Sequence, residues 1–298
     1  MSARDIIMRS GTSGLTPAAQ ARHAVKEVAK LFDATKCTGC KGCQVACSEW
    51  NDLRAPVGTF QGSYQNPMEL SSECWTLMQF HEVVRDDKFN WNFTHTACMH
   101  CGEPSCLLAC STAGAIIKRA DGTVDFDADK CIGCGYCVTA CPFNVPKLSP
   151  KDHKAYKCTM CADRLAAGME PSCVKTCVTG ALKFGNKEEM LYAAVERVKQ
   201  LHAEGHTKAG IYDPEGVNGT GMIMILKDIN HPEDYGMPKD PQVSTPNTIK
   251  DDWVKPLGAI GILGLAGVAL AHRIAVGRNT VEEDMPVTHC ELDKDDKE

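Results

Sequence analysis

Sixteen of the eighteen cysteines in this 298-residue chain fall into four quartets, and thiols grouped this way demand a fold that wraps loops around metal. The quartets are Cys37/Cys40/Cys43/Cys47, Cys98/Cys101/Cys106/Cys110, Cys131/Cys134/Cys137/Cys141 and Cys158/Cys161/Cys173/Cys177. The first and third read C-x2-C-x2-C-x3-C, a spacing in which three thiolates of one tight loop cap three irons of a cube while the fourth turns toward another cluster. Pro142 follows the last cysteine of the third quartet and extends that pattern. Four [4Fe–4S] clusters are expected, with all sixteen cysteines as iron ligands. A disulfide framework suits short secreted chains without a core, which this chain is long enough to bury. The fourth quartet, C-x2-C-x11-C-x3-C, could by itself pass for a zinc module, so a zinc-stabilised scaffold is the competing class. Cys74 and Cys290 stand outside the quartets and read as free thiols.

The first and third motifs share their spacing at an offset of 94 residues, which implies a duplicated two-cluster, ferredoxin-like module. The segments around the motifs indicate which of them pair. Ala115-Ile-Ile-Lys118 follows motif two, Asp121-Gly122 supplies a hairpin turn, and Thr123-Val-Asp-Phe126 leads into motif three. Motifs two and three then form an inner unit. Ala181-Leu-Lys-Phe184 after motif four and Lys30-Leu-Phe-Asp33 before motif one stand in the same relation, which makes motifs one and four an outer unit. Because the fourth cysteine crosses to the partner cluster, the expected ligand sets are Cys37/Cys40/Cys43/Cys177 (cluster 1), Cys98/Cys101/Cys106/Cys141 (cluster 2), Cys131/Cys134/Cys137/Cys110 (cluster 3) and Cys158/Cys161/Cys173/Cys47 (cluster 4). Sequential pairing, one with two and three with four, is the alternative.

The net charge of −6 belongs to the tail, where residues 279–298 hold eight acids and two lysines and leave the remainder balanced. No basic concentration points to nucleic acid. The first 24 residues show no apolar h-region and no Arg-Arg pair, so no secretory or twin-arginine signal is expected there. Near the other end, Pro256 to His272 runs without a formal charge and carries small residues at Gly258, Gly261, Gly264 and Gly267, which reads as a short transmembrane helix. Trp253, Lys255, Arg273 and Arg278 fit interfacial anchors, and the charge bias leans toward a cytoplasmic C-terminus. His272 reads as a membrane-interface side chain rather than a contact to a partner's haem.

The expected fold class is α+β: nested, duplicated two-[4Fe–4S] ferredoxin-like modules with a C-terminal extension and one transmembrane helix. The expected division is an N-terminal extension over 1–29, two modules over 30–185 (outer 30–60 plus 145–185, inner 95–144), a helix, strand and strap over 186–250, the span over 251–278 and the acidic tail over 279–298. Asn186 to Glu189 looks like a capping box opening a helix that Gly205 stops. Residues 221–227 read as a buried strand, 232–246 with its four prolines as an extended strap, and 75–95 as a hairpin that covers the clusters. No open metal site, nucleotide loop or catalytic triad accompanies the quartets, so the chain reads as a wire with no catalytic residues.

The residues resemble the four-cluster iron–sulfur (beta) subunits of membrane-bound molybdopterin oxidoreductases, respiratory formate dehydrogenase above all. The resemblance rests on Cys37-Thr-Gly-Cys-Lys-Gly-Cys-Gln-Val-Ala-Cys-Ser-Glu-Trp-Asn-Asp52, Cys98-Met-His-Cys-Gly-Glu-Pro-Ser-Cys106, Cys131-Ile-Gly-Cys-Gly-Tyr-Cys137 through Pro142-Phe-Asn, Tyr156-Lys-Cys-Thr-Met-Cys161 and Tyr212-Asp-Pro-Glu-Gly-Val-Asn-Gly-Thr220. It implies a molybdenum- or tungsten-containing catalytic (alpha) subunit that oxidises formate, electron passage through clusters 1, 4, 2 and 3, and a membrane cytochrome b (gamma) subunit that reduces quinone. It also implies a single-pass inner-membrane protein whose globular part faces the periplasm, and it supports the nested pairing. The equivalent wire of a hydrogenase or another molybdopterin reductase is the nearest alternative. Ser111 and Val178 stand where proline often follows the fourth cysteine of motifs two and four.

Overall fold

The computed structural model describes residues 26–85, 87–243 and 255–276. By contacts the chain forms two units, 1–247 and 248–298. The first begins with strand β1 (Val28–Asp33) and helix α1 (Gly42–Trp50), followed by the hairpin of β2 (Leu77–Arg85) and β3 (Lys88–Thr96). Helix α2 (Ser105–Leu108), strands β4 (Ile116–Lys118) and β5 (Val124–Phe126) and helix α3 (Tyr136–Ala140) carry the middle motifs. Next come β6 (Lys147–Leu148), β7 (Ala155–Tyr156), α4 (Ala162–Ala166), α5 (Ser172–Lys175), β8 (Leu182–Asn186) and α6 (Lys187–Ala203). Strands β9 (Gly210–Tyr212) and β10 (Met222–Leu226) complete the main sheet, and α7 (Lys255–Val276) belongs to the second unit.

The strand pairs expected around the motifs form. β4 pairs antiparallel with β5, Ile116 opposite Phe126, and β1 pairs antiparallel with β8, Phe32 opposite Leu182. The segment 75–95 folds as the β2–β3 hairpin, whose Phe80 and Phe93 pack against Gly39 in the first cysteine loop. A further pairing lies outside the module pattern: β10 joins β1 in parallel, giving the order β8-β1-β10-β9. β10 reads Met-Ile-Met-Ile-Leu and is buried throughout, as a strand covered on both faces must be. Alternation splits the sheet's residues between two cores. Ala29, Leu31, Ile223 and Ile225 pack with Ala194 and Leu201 of α6. Phe32, Met222, Met224 and Leu226 turn the other way, into a core shared with Cys43, Cys173 and Met99.

Two expectations are corrected, and a third is met in part. Asn186 makes no side-chain cap bond; its amide donates to the Glu189 carboxylate at 2.9 Å. β8 runs straight into the helix, Lys187 N–H donates to Glu27 O at 2.8 Å, and the Asn186 side chain is engaged by the Glu189 carboxylate instead of by a first-turn N–H. The 232–246 strap is not extended throughout, since Pro232–Tyr235 forms a 3₁₀ turn that hydrogen-bonds to β3 through Thr94 and Asn92. The expected span meets a 22-residue helix at Lys255–Val276. The side chains described in it are those of 263–275, which are exposed in the chain alone, and among the described residues no helix is long and apolar enough to cross a membrane. Trp253, Arg278, Cys290 and the 279–298 tail lie outside the described residues, as does the 1–25 part of the N-terminal extension.

Candidate metal centre

Each cysteine quartet opens on a C-x2-C turn, and in all four the residue before the second cysteine is left-handed. These are Gly39 (φ 65°), His100 (φ 48°), Gly133 (φ 73°) and Met160 (φ 56°). Glycine reaches this region freely, whereas His100 and Met160 hold it at a cost on the order of 1 kcal/mol each. The turn gathers backbone N–H groups on its inside, a nest suited to an anion. In three of the motifs that same residue donates to the first sulfur: Gly39 N–H to Cys37 Sγ at 3.5 Å, His100 N–H to Cys98 Sγ at 3.4 Å and Met160 N–H to Cys158 Sγ at 3.4 Å. In motif three the donor to Cys131 Sγ is Ala155 N–H at 3.4 Å, and the Ser111 hydroxyl lies 3.6 Å from Cys134 Sγ.

The thiols converge across the motifs. Cys98, Cys101, Cys106 and Cys141 line one small cavity, and Cys110, Cys131, Cys134 and Cys137 line a second. Burial raises Cys37, after which the neighbouring thiolates of Cys177 and Cys40 raise it further. Cys47 is pushed well above the thiol range by burial and by Cys158, Cys173 and Cys161. Burial pushes Cys43 up to about 12, with Cys173 and Cys37 adding to it, and Cys137 up to about 11, with Cys131, Cys134 and Cys110 adding. So many buried thiols can all ionise only beside a cationic group, which is what iron supplies. Among the described residues, no three of His, Cys, Asp or Glu meet closely enough to hold a single ion. The thiols instead surround hollows, as the separate corners of a cube require.

Neighbouring groups follow one another in a row. Cys43 and Cys173 share one core, Lys157 lies among Cys98, Cys106 and Cys158, and Cys106 and Cys137 share another core. Cys74 stays outside the row as a buried thiol donating to Thr76 O at 3.4 Å.

Two cations are buried among these thiols. Lys30 and Lys157 are both fully buried. Lys30 Nζ has no hydrogen-bond partner, while Lys157 Nζ donates to the carbonyls of Val124 (2.5 Å) and Cys158 (2.9 Å) and also bonds the Cys98 thiol. Burial alone would lower both, yet the thiolates of Cys158, Cys173, Cys161 and Cys47 outweigh it at Lys30, and those of Cys98, Cys106 and Cys158 at Lys157. His100 adds a donor. Val124 N–H donates to its Nδ1 at 3.0 Å, so the ring proton sits on Nε2, which is buried without a partner among the described residues. Burial, Lys157 and Lys30 hold this imidazole neutral. Orphaned buried donors facing grouped thiols fit an anionic iron–sulfur group. Lys30, Lys157 and His100 escaped the sequence reading, although a lysine at an inner-face position of β1 was a visible anomaly.

The Tyr212–Thr220 segment clamps motif two. Asp213 Oδ1 accepts Thr220 N–H at 2.6 Å and closes the loop. Gly102 N–H donates to Gly219 O and Glu103 N–H to Val217 O, each at 2.8 Å, and Gly221 N–H reaches Met99 O at 2.9 Å. The segment thereby fastens the inner unit's cysteine loop to β10.

Comparison with known proteins agrees with this chemistry. The family described as 4Fe-4S dicluster domain matches residues 89–187, spanning motifs two to four. The family described as Formate dehydrogenase N, transmembrane matches residues 250–286. The formate dehydrogenase iron-sulfur subunit of Haemophilus influenzae is 50% identical over 293 residues, covering 98% of this chain and 94% of its own. The formate dehydrogenase-O iron-sulfur subunit of Escherichia coli is 50% identical over 296 residues, covering 99% and 98%. The nitrate-inducible counterpart of the same organism is 48% identical over 292 residues, covering 98% and 99%. Likeness of this degree from end to end, joined to four thiol groups in a row, makes the chain a member of the formate dehydrogenase iron–sulfur subunit family, whose role is electron transfer through [4Fe–4S] clusters.

Proposed function

We propose that the chain conducts electrons from a molybdenum- or tungsten-containing formate dehydrogenase subunit to a membrane cytochrome b and quinone. The observation that carries this reading is the meeting of thiols from different motifs, Cys43 with Cys173, Lys157 with Cys158, Cys98 and Cys106, and Cys106 with Cys137, which supports passage in the order 1, 4, 2, 3. When bound, each cube supplies exchange of a single electron. The chain's own residues hold the ligand sets: Cys37/Cys40/Cys43/Cys177, Cys158/Cys161/Cys173/Cys47, Cys98/Cys101/Cys106/Cys141 and Cys131/Cys134/Cys137/Cys110. The β1–β8 and β4–β5 hairpins support the nested outer and inner modules. N–H groups on the sulfurs stabilise the thiolates, and the packed methionines and aromatics keep water out. Anaerobically purified protein is expected to contain about sixteen irons and sixteen sulfides per chain; iron near eight with bound zinc would replace two cubes with zinc sites.

The helix at Lys255–Val276 serves in this reading as a single membrane span that docks the cytochrome, with the globular unit on the periplasmic side and the C-terminus in the cytoplasm. The transmembrane family match over 250–286 supports it. Truncation after Pro246 removes no cysteine of the four groups. Such a complex is expected to keep formate-driven reduction of a soluble dye, to leave the membrane fraction and to lose most quinone reduction. Quinone reduction at the full rate after truncation would disprove the docking role.

A further inference from the structure

We propose that Lys30 and Lys157 are redox-tuning residues, two fixed cations that raise the reduction potentials of the two central groups. The proposal rests on the ligand sets given above. Lys30 occupies a position of β1 whose neighbours on the same face, Phe32 and Met222, are apolar and buried. Its ammonium has no carboxylate, carbonyl or hydroxyl partner, and its side chain is entirely enclosed. The charged groups around it are Cys158, Cys173, Cys161 and Cys47, all four of one set. Lys157 lines the cavity of the next set, with Cys98, Cys101, Cys106 and Cys141, and is held there by the Val124 and Cys158 carbonyls and by the face of Phe126 at 4.9 Å. Neither lysine takes part in a salt bridge among the described residues. A desolvated ammonium without a counter-ion is costly unless an anion lies beside it, and each extra electron on the adjacent group strengthens that attraction.

The duplication shows that this charge is a local device. The 94-residue offset that superimposes motif one on motif three carries Lys30 onto Val124. The inner copy is apolar there, and its Val124 carbonyl is the anchor for Lys157. Both cations therefore sit on outer-module segments, Lys30 within that module and Lys157 reaching across the junction. Cation and cluster interact in a dry interior, where the effect of charge is felt far more than in water. Removing one cation should make its neighbouring group harder to reduce.

The test is a potentiometric titration of the purified complex followed by electron paramagnetic resonance, with iron analysis of the same samples. Lys30→Gln is expected to retain about sixteen irons and to lower one signal's one-electron equilibrium constant about tenfold, which is ~59 mV. Lys30→Arg, which keeps the charge, should restore most of the shift. Lys157→Gln is expected to move a different signal by a similar amount. Four unchanged potentials in fully loaded Lys30→Gln and Lys157→Gln complexes would overturn the proposal. Loss of about four irons from both Lys30→Gln and Lys30→Arg would also overturn it, by making Lys30 a packing element. Wild-type complex with half the iron and bound zinc would instead overturn the ligand sets themselves.

Discussion

Serine in place of Cys177 is expected to remove the paramagnetic signal of the group held by Cys37, Cys40 and Cys43, although well over a hundred residues separate it from them. The thiolate of Cys177 is the neighbouring charge closest in effect to Cys37 after burial and the local backbone bond. Its sulfur is fixed by Leu182 N–H at 3.3 Å and lies 3.7 Å from the Thr179 hydroxyl. Leu182 begins β8, and β8 pairs with β1, so the strand pairing that defines the outer module also delivers this sulfur. A serine oxygen is a harder and shorter donor than a thiolate and suits the group's iron poorly. Iron should fall from about sixteen to about twelve per chain, with the other three signals retained. Sequential pairing would place the damage beside Cys131, Cys134 and Cys137, and spectra of the reduced variant show which signal is missing.

The second large effect is expected from a methyl group. A Cβ added at Gly102 would lie 1.9 Å from Asn218 O and 2.8 Å from the carbonyl carbon behind it. Both are backbone atoms of the clamp over motif two, so no side-chain rotation relieves the overlap. Gly102→Ala must break the 2.8 Å bonds from Gly102 to Gly219 and from Glu103 to Val217, or shift Cys101. The expected cost is about 3 kcal/mol, at the upper end for overpacking. The visible consequence should be loss of the group lined by Cys98, Cys101, Cys106 and Cys141 at a temperature well below that of the wild type, with the outer groups surviving longer. Unaltered thermal loss of absorbance in Gly102→Ala would show that the clamp gives way without cost.

Much of this could be read from the sequence because cysteine spacing and turn residues are local signals. The quartets, the Asp121-Gly122 turn and the buried run at Met222–Leu226 each carry their meaning within a few residues. The parallel pairing of β10 with β1 does not, because a fully apolar strand encodes burial on both faces and leaves its partner unspecified. The same limit applied at Lys30. Its place beside Phe32 marks an inner-face lysine, but only the assembled fold shows four thiols in front of it. The capping box at Asn186 failed because its amide meets the Glu189 carboxylate directly while its backbone pairs with β1 opposite Val28.

The central position of β1 sets a timetable for making the protein. One of the first strands synthesised has both edges filled by late ones, from Leu182–Asn186 and from Met222–Leu226. Lys30 waits for its partner Met222 across roughly 190 residues of chain, which at about 5–20 residues per second is about 10–40 s of translation. During that interval all sixteen motif thiols have emerged, while the sheet that packs over Cys43 and Cys173 cannot close. The nascent chain therefore carries reactive sulfur in the open for its longest stage. Loading of iron and closure of the sheet are tied to the same late event, so a ribosome stalled before Met222 should release a product with unprotected thiols.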